Sequence, residues 1–243
     1  MSNIINELAK TIDNGVDRFC DNPVTISFSG GVDSALVAYL AAKKCKVQLI
    51  AVGTVGSHDI EAAKTAAKDM DLELEIVEMK SEEMVKEGKI LANTVELNEQ
   101  EIEFMLPFWI VAKKAKNKIL LCGQGADELF GGYQRFRREP EKVNLKKEVR
   151  DLLKRIPERE EAITKEFKLK LGCPYLEKDL IDIVEKISTE EKISGIGKGP
   201  LRDAAIVLGL SEKIANRGKK AAQYGSGSQK AIRKSKKHKM NIT

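Results

Sequence analysis

Two glycine-rich loops hold most of the residues that could do chemistry in this 243-residue chain. The first, Ser29-Gly30-Gly31-Val32-Asp33-Ser34, follows the β-prone run Val24 to Phe28 and precedes the helix-forming run Ala35 to Ala42. Adjacent glycines let backbone N–H groups turn inward toward phosphate oxygens. A helix N-terminus adds partial positive charge, and the serine hydroxyls add donors. Asp33 in such a cradle would repel phosphates unless a cation lay between them, so it reads as a Mg²⁺ ligand; in a plain turn it would be a helix N-cap. The loop lacks the lysine of G-x-x-x-x-G-K-S/T and is not G-x-G-x-x-G, so it is neither a Walker A loop nor a dinucleotide fingerprint. The second loop runs from Cys122 through Gly123-Gln124-Gly125-Ala126-Asp127-Glu128 to Tyr133. Asp127 is the candidate second carboxylate on the same Mg²⁺, and Glu128 serves either the site or a helix terminus.

These loops need a scaffold that brings them together. Apolar residues at helical spacing (Ile4, Leu8, Ile12, Val16, Phe19) predict an N-terminal helix. Strands are predicted at 24–28, 47–52, 72–77 and 118–122, with helices at 58–70, 81–95 and 99–116 between them. Alternating strands and helices imply an α/β fold, a Rossmann-like parallel sheet with helices on both faces. Both loops would then leave the carboxyl ends of strands, where such sheets bind ligands. From Pro140 onward the β pattern disappears, and an α-helical C-terminal half is expected near 141–155, 158–169, 176–188, 200–208 and 211–216. The organisation is one domain over 1–228, with a nucleotide-binding part at 1–139, a helical part at 140–228, and a basic flexible tail at 229–243.

Composition bounds the remaining classes. Hydrophobic residues make up 42% and charged residues 33%, as in ordinary globular proteins. No apolar run reaches the ~20 residues of a membrane span, and the first residues do not resemble a signal peptide. Cys20, Cys45, Cys122 and Cys173 show no C-x-x-C spacing, which argues against a disulfide scaffold or zinc site and for a cytoplasmic location. The net charge of +5 is concentrated at the end: between Glu212 and Thr243 there are roughly ten Lys/Arg and one acid. Such a tail fits a solvated terminus, contact with nucleic acid, or closure over a polyphosphate.

The two loops, with several later segments, resemble the synthetase domain of the asparagine synthetase family, a branch of the PP-loop ATP pyrophosphatases. Val52-Gly53-Thr54-Val55-Gly56-Ser57-His58-Asp59 is similar to the family's second strand and helix, whose turn holds adenine. Cys173-Pro174-Tyr175-Leu176-Glu177 resembles its P-F-L-D segment, and Lys198-Gly199-Pro200-Leu201-Arg202 its K-x-x-L-R. Arg217-Gly218-Lys219, followed by Gly225-Ser226-Gly227, resembles its late R-x-K loop and glycine-serine turn. The resemblance implies an adenine nucleotide alpha hydrolase-like fold. It also implies a ligase using ATP and Mg²⁺ to adenylate a small carboxylate, aspartate by default, and amidate it with release of AMP and pyrophosphate. In that reading Ser29, Gly30, Gly31, Asp33 and Ser34 cradle pyrophosphate, while Asp33 and Asp127 hold the metal. Val52, Gly53, Gly123 and Gly125 border adenine and ribose. Arg217 faces phosphates, and Lys219 reaches the α-phosphate.

The sequence departs from the family pattern at informative places. Gln124 stands where asparagine synthetases usually carry the Glu thought to help ammonia attack the adenylate, and an amide cannot accept that proton at neutral pH. Cys122 replaces a serine, as a buried small residue or a sulfur-transfer nucleophile, and Gly172 replaces an arginine. A glutamine-hydrolysing domain is not expected within these 243 residues, since Ser2 stands where such a domain would begin with a cysteine. Ammonia is therefore expected from solution or from a separate glutaminase subunit, and a homo-oligomer is compatible. A tRNA- or nucleobase-modifying ATP pyrophosphatase, inserting nitrogen or sulfur after adenylation, is the alternative; its support is the basic tail.

Overall fold

Each β-prone run becomes a strand of one parallel sheet. The computed structural model describes residues 2–218 and 225–233. Helix α1 (Ser2–Asp17) leads into β1 (Val24–Ser27), α2 (Val32–Ala42), β2 (Val47–Thr54), α3 (His58–Asp69) and β3 (Leu74–Met79). Then come α4 (Ser81–Thr94), α5 (Glu99–Lys114), β4 (Ile119–Leu121), α6 (Ala126–Phe130), α7 (Gln134–Arg138), α8 (Leu145–Arg155) and α9 (Glu160–Glu166). A fifth strand, β5 (Lys170–Gly172), precedes α10 (Lys178–Val184), α11 (Thr189–Ile193), α12 (Gly199–Val207) and α13 (Glu212–Ala215).

The strand order is β3-β2-β1-β4-β5, with all pairings parallel. Val24 of the central strand is in register with Val47 on one side and Ile119 on the other. The chain first winds outward from β1 to β3, then returns through α4 and α5 to place β4 on the opposite flank. The order therefore reverses between β1 and β4, which opens a crevice at their carboxyl ends.

Side-chain alternation along β2 feeds two cores. Leu49 and Ala51 join α1, α2, α3 and α12 on one face, whereas Ile50 and Val52 join α4, α5 and α9 on the other. Helix α2 is apolar almost all round and buried along most of its length, as befits a helix sandwiched between the sheet and α1 and α12. Strand β3 keeps partial exposure and the charged Glu75 and Glu78, as expected of an edge.

Two local expectations are corrected. Residues 170–172, read as lying in an all-helical half, form the other edge strand; Lys170-Leu171-Gly172 has a single large apolar residue and so no β-prone run, and Lys168 turns the chain into them at φ 56°. Residues 229–233, assigned to a flexible tail, form a helical turn that packs on α5. There Gln229 Nε2 donates to Glu103 Oε2 at 2.8 Å, and Arg233 Nε donates to Glu103 Oε1 at 2.8 Å. Just before this turn, Thr54 N–H donates to the Ser226 carbonyl at 2.9 Å, which ties the segment to the end of β2. Among the described residues no helix is long and apolar enough to cross a membrane, and the four cysteines are free thiols.

Candidate active site

The first glycine loop springs from β1 and the second from β4, so the reversal in strand order sets them side by side. Gly30 takes φ 69°, and a Cβ there would lie 2.5 Å from the Ala62 backbone of α3; the turn therefore excludes any side chain. The Ser34 hydroxyl closes the loop, accepting from Ser29 N–H at 3.1 Å and standing 3.2 Å from Ser29 Oγ. The N-cap of α2 is Gly31, which makes no side-chain cap bond. Asp33 is thus not the helix cap, and its carboxylate is directed elsewhere.

It meets Lys198. The Lys198 ammonium donates to Asp33 Oδ1 at 2.7 Å and lies 2.6 Å from Asp127 Oδ1, so one cation bridges the two carboxylates singled out in the sequence. Lys198 and Asp33 have side chains 4% and 3% exposed, whereas Asp127 is 27% exposed. The lysine reaches this point from a left-handed backbone (φ 61°) at the N-terminus of α12, with its N–H held by the Lys192 carbonyl at 2.8 Å. Such a conformation in a non-glycine residue is sustained only by its surroundings. Gly132 leaves the space: a Cβ there would collide with both Asp127 Oδ1 and Lys198 Cε.

The family-like segments act around this cluster. The Tyr175 hydroxyl, fully buried, donates to the Asp33 carbonyl at 3.0 Å and supports the first turn of α2 from behind. Arg202 donates to the carbonyls of Gly197 (2.8 Å) and Arg217 (3.2 Å) and also to that of Ala215, so it clamps the stretch that precedes Lys219.

Ser29, Asp33, Ser34, Val52, Gly123, Gln124, Gly125 and Asp127 all line one cleft. Its wall also carries Glu128, whose role the sequence left open, and Glu160, which no sequence motif marks. Glu128 is buried and accepts from the Tyr133 hydroxyl at 2.6 Å; burial raises its carboxyl pKa, and that of the Tyr133 phenol also rises. Glu160, 2% exposed, is raised by burial against the lowering effect of Arg159, whose Nη2 lies 3.1 Å from Glu160 Oε1. Glu160 gave no motif signal, because α9 is distant in sequence and its glutamates look like an ordinary charged helix start.

Other candidates fall elsewhere. Gly30 and Gly31 shape the first loop from behind rather than lining the cleft. Gly53 abuts Ser57, Ile60 and Ser226, and the buried Ser57 hydroxyl beside it has no hydrogen-bond partner among the described residues. Arg217 does not line the cleft; it borders a separate depression with Thr65, Asp69 and Lys213. Lys219 lies outside the described residues. Cys122 borders the cleft, with its Sγ 3.6 Å from Cys173 Sγ.

The cleft has a volume of about 170 Å³, below the ~300–1,000 Å³ usual for ligand pockets. Lys198 neutralises the two carboxylates that line it, so a Mg²⁺ on those carboxylates would have to share or displace that cation's position.

The family model for asparagine synthase matches residues 7–170 and 145–241, nearly the whole chain. The chain belongs to the asparagine synthase family. A Methanocaldococcus jannaschii protein provisionally designated glutamine-hydrolysing asparagine synthetase 1 is 35% identical over 87% of this chain and 47% of its own length. The glutamine-hydrolysing asparagine synthetase 1 of Arabidopsis thaliana is 30% identical over 71% of this chain and 33% of its own length. Asparagine synthetase B of Escherichia coli is 25% identical over 79% and 39%, respectively. This member of the family thus spans less than half the length of these relatives.

Proposed function

We propose that this asparagine synthase family member is an AMP-forming ligase that joins ammonia to a small carboxylate, with aspartate the default substrate. The observation that carries the reading is the convergence of Asp33 and Asp127 on one cation, between two glycine loops at the reversal of the sheet.

In the first step a carboxylate oxygen attacks the α-phosphorus of ATP, the bond to the bridging oxygen breaks, and pyrophosphate leaves. The N–H groups of the Ser29–Ser34 loop and the N-terminus of α2 would bind the leaving phosphates, and Lys198 would balance their charge. Val52, Gly53 and the Ser57 hydroxyl would border the base and ribose, and Lys219 would complete the phosphate contacts. Two converging carboxylates suit Mg²⁺, which takes one or two protein carboxylates and fills its remaining positions with phosphate oxygens and water. Held by Asp33 and Asp127, the ion would neutralise charge on the separating phosphates.

In the second step the ammonia nitrogen attacks the acyl carbon, AMP leaves, and the nitrogen must lose a proton. Gln124 cannot accept it. Glu160, in the same wall and with its pKa raised by burial, is placed to do so once deprotonated.

The test supplies the purified chain with ATP, Mg²⁺, aspartate and ammonium, and follows pyrophosphate and asparagine. Both products are expected. Pyrophosphate without asparagine refutes aspartate amidation but retains adenylation; no pyrophosphate with any of a panel of small carboxylates refutes the ligase reading.

A further inference from the structure

A second cavity, of about 360 Å³, lies among α6, α8, α10 and α11, and no residue lines both it and the cleft. One part of its wall is aliphatic, built from Leu129, Val149, Ile181 and Ile187, and the rest is polar, with Asn144, Ser188 and Thr189 beside the charged residues. One side holds Lys192, which is 6% exposed. Among the described residues nothing gives the Lys192 ammonium a hydrogen bond or ion pair, an arrangement costly for a buried charge. The charges facing it do not supply a partner. Lys146 on α8 and Glu185 after α10 pair with each other at 3.0 Å on the rim. Glu191 of α11 is committed to the helix cap, accepting from Ser188 N–H at 3.1 Å and Ser188 Oγ at 3.0 Å.

We propose that this cavity is a binding site for a small aliphatic monocarboxylate, its head on Lys192 and its chain against Leu129, Val149 and Ile187. A monoanion matches the single unsatisfied cation, whereas a phosphate dianion would face Glu185 and Glu191. The volume falls within the range of small-molecule pockets. The site is also mechanically close to the cleft. Leu129 borders the cavity from the same short helix that carries Asp127, and the Lys192 carbonyl holds the backbone N–H of Lys198. This assignment is independent of the proposed ligase activity.

Isothermal titration of the full chain with hexanoate, hexan-1-ol, hexylammonium and inorganic phosphate tests it. Hexanoate is expected to bind saturably at one site, at least about tenfold more tightly than hexan-1-ol, as a charge-assisted hydrogen bond requires. Hexylammonium should not bind. Lys192→Met should weaken hexanoate by about tenfold or more while leaving hexan-1-ol unchanged. If that variant fails to fold, Val149→Phe, which shortens the apolar wall, should weaken both hexanoate and hexan-1-ol. No saturable hexanoate binding, equal affinity in Lys192→Met, or tighter binding of phosphate would each overturn the proposal.

Discussion

Replacing Lys198 by Met removes the cation between Asp33 and Asp127 while keeping a side chain of similar reach. The cavity term is therefore small, and the loss is electrostatic. Removing one partner of a buried pair costs ~3–5 kcal/mol, because the other charge stays buried. Asp33, 3% exposed, falls in that class, but it keeps further polar contacts, which places the loss at the low end. The 27% exposure of Asp127 allows water to screen it, so its share is at most ~1 kcal/mol. The expected loss is about 3 kcal/mol, or ~6–12 °C in Tm for a chain of this size. Urea denaturation at constant m measures it. Adding Asp33→Asn to Lys198→Met should recover part of the loss by removing the stranded charge. Millimolar Mg²⁺ should raise the midpoint of Lys198→Met more than that of the unaltered protein, since an ion can stand where the ammonium stood. A loss below ~1 kcal/mol, or a double variant less stable than Lys198→Met, would refute a buried ion pair at this point.

Three further outcomes follow from the geometry. Gly30→Ala should lower Tm and weaken ATP binding measured by calorimetry, because its Cβ meets the Ala62 backbone at 2.5 Å; an unchanged affinity would remove the loop from the nucleotide site. Glu160→Gln should retain carboxylate-dependent pyrophosphate release but lose most amide product, and the loss of the ammonia step should persist across the pH profile; equal loss of both products would make Glu160 merely structural. The Lys192 pKa is pulled by burial from 10.5 down to about 8, with Glu185 and Glu191 opposing the shift and Lys146 adding to it. The unfolded chain therefore binds the extra proton between those values, and stability from this group rises with pH from about 8 toward 10.5. The excess stability of Lys192→Met over the unaltered protein should shrink across that window, and a constant difference would refute the shift.

The sheet and both glycine loops were legible along the chain, because these features are written in local chemistry. Short β-prone runs mark β1, β2 and β4, a period-2 alternation marks β3, period-3.6 patterns mark helices, and glycines near Asp33 and Asp127 mark turns that leave strand ends. The sequence also contained the segments that place the chain in its family. It missed β5, whose Lys170-Leu171-Gly172 carries one large apolar residue, and the packing of residues 229–233, whose partner Glu103 lies on a helix far upstream. The tertiary structure alone decided which cation meets the two carboxylates. Lys198 is 165 residues from Asp33 and owes its position to a left-handed turn, the Lys192 carbonyl and the gap left by Gly132. It also decided that Arg217 lies away from the cleft and that Glu160 lies in it. Burial changes the proton affinity of Glu160 and Lys192, and burial is a property of what packs around a side chain rather than of the side chain's neighbours in sequence.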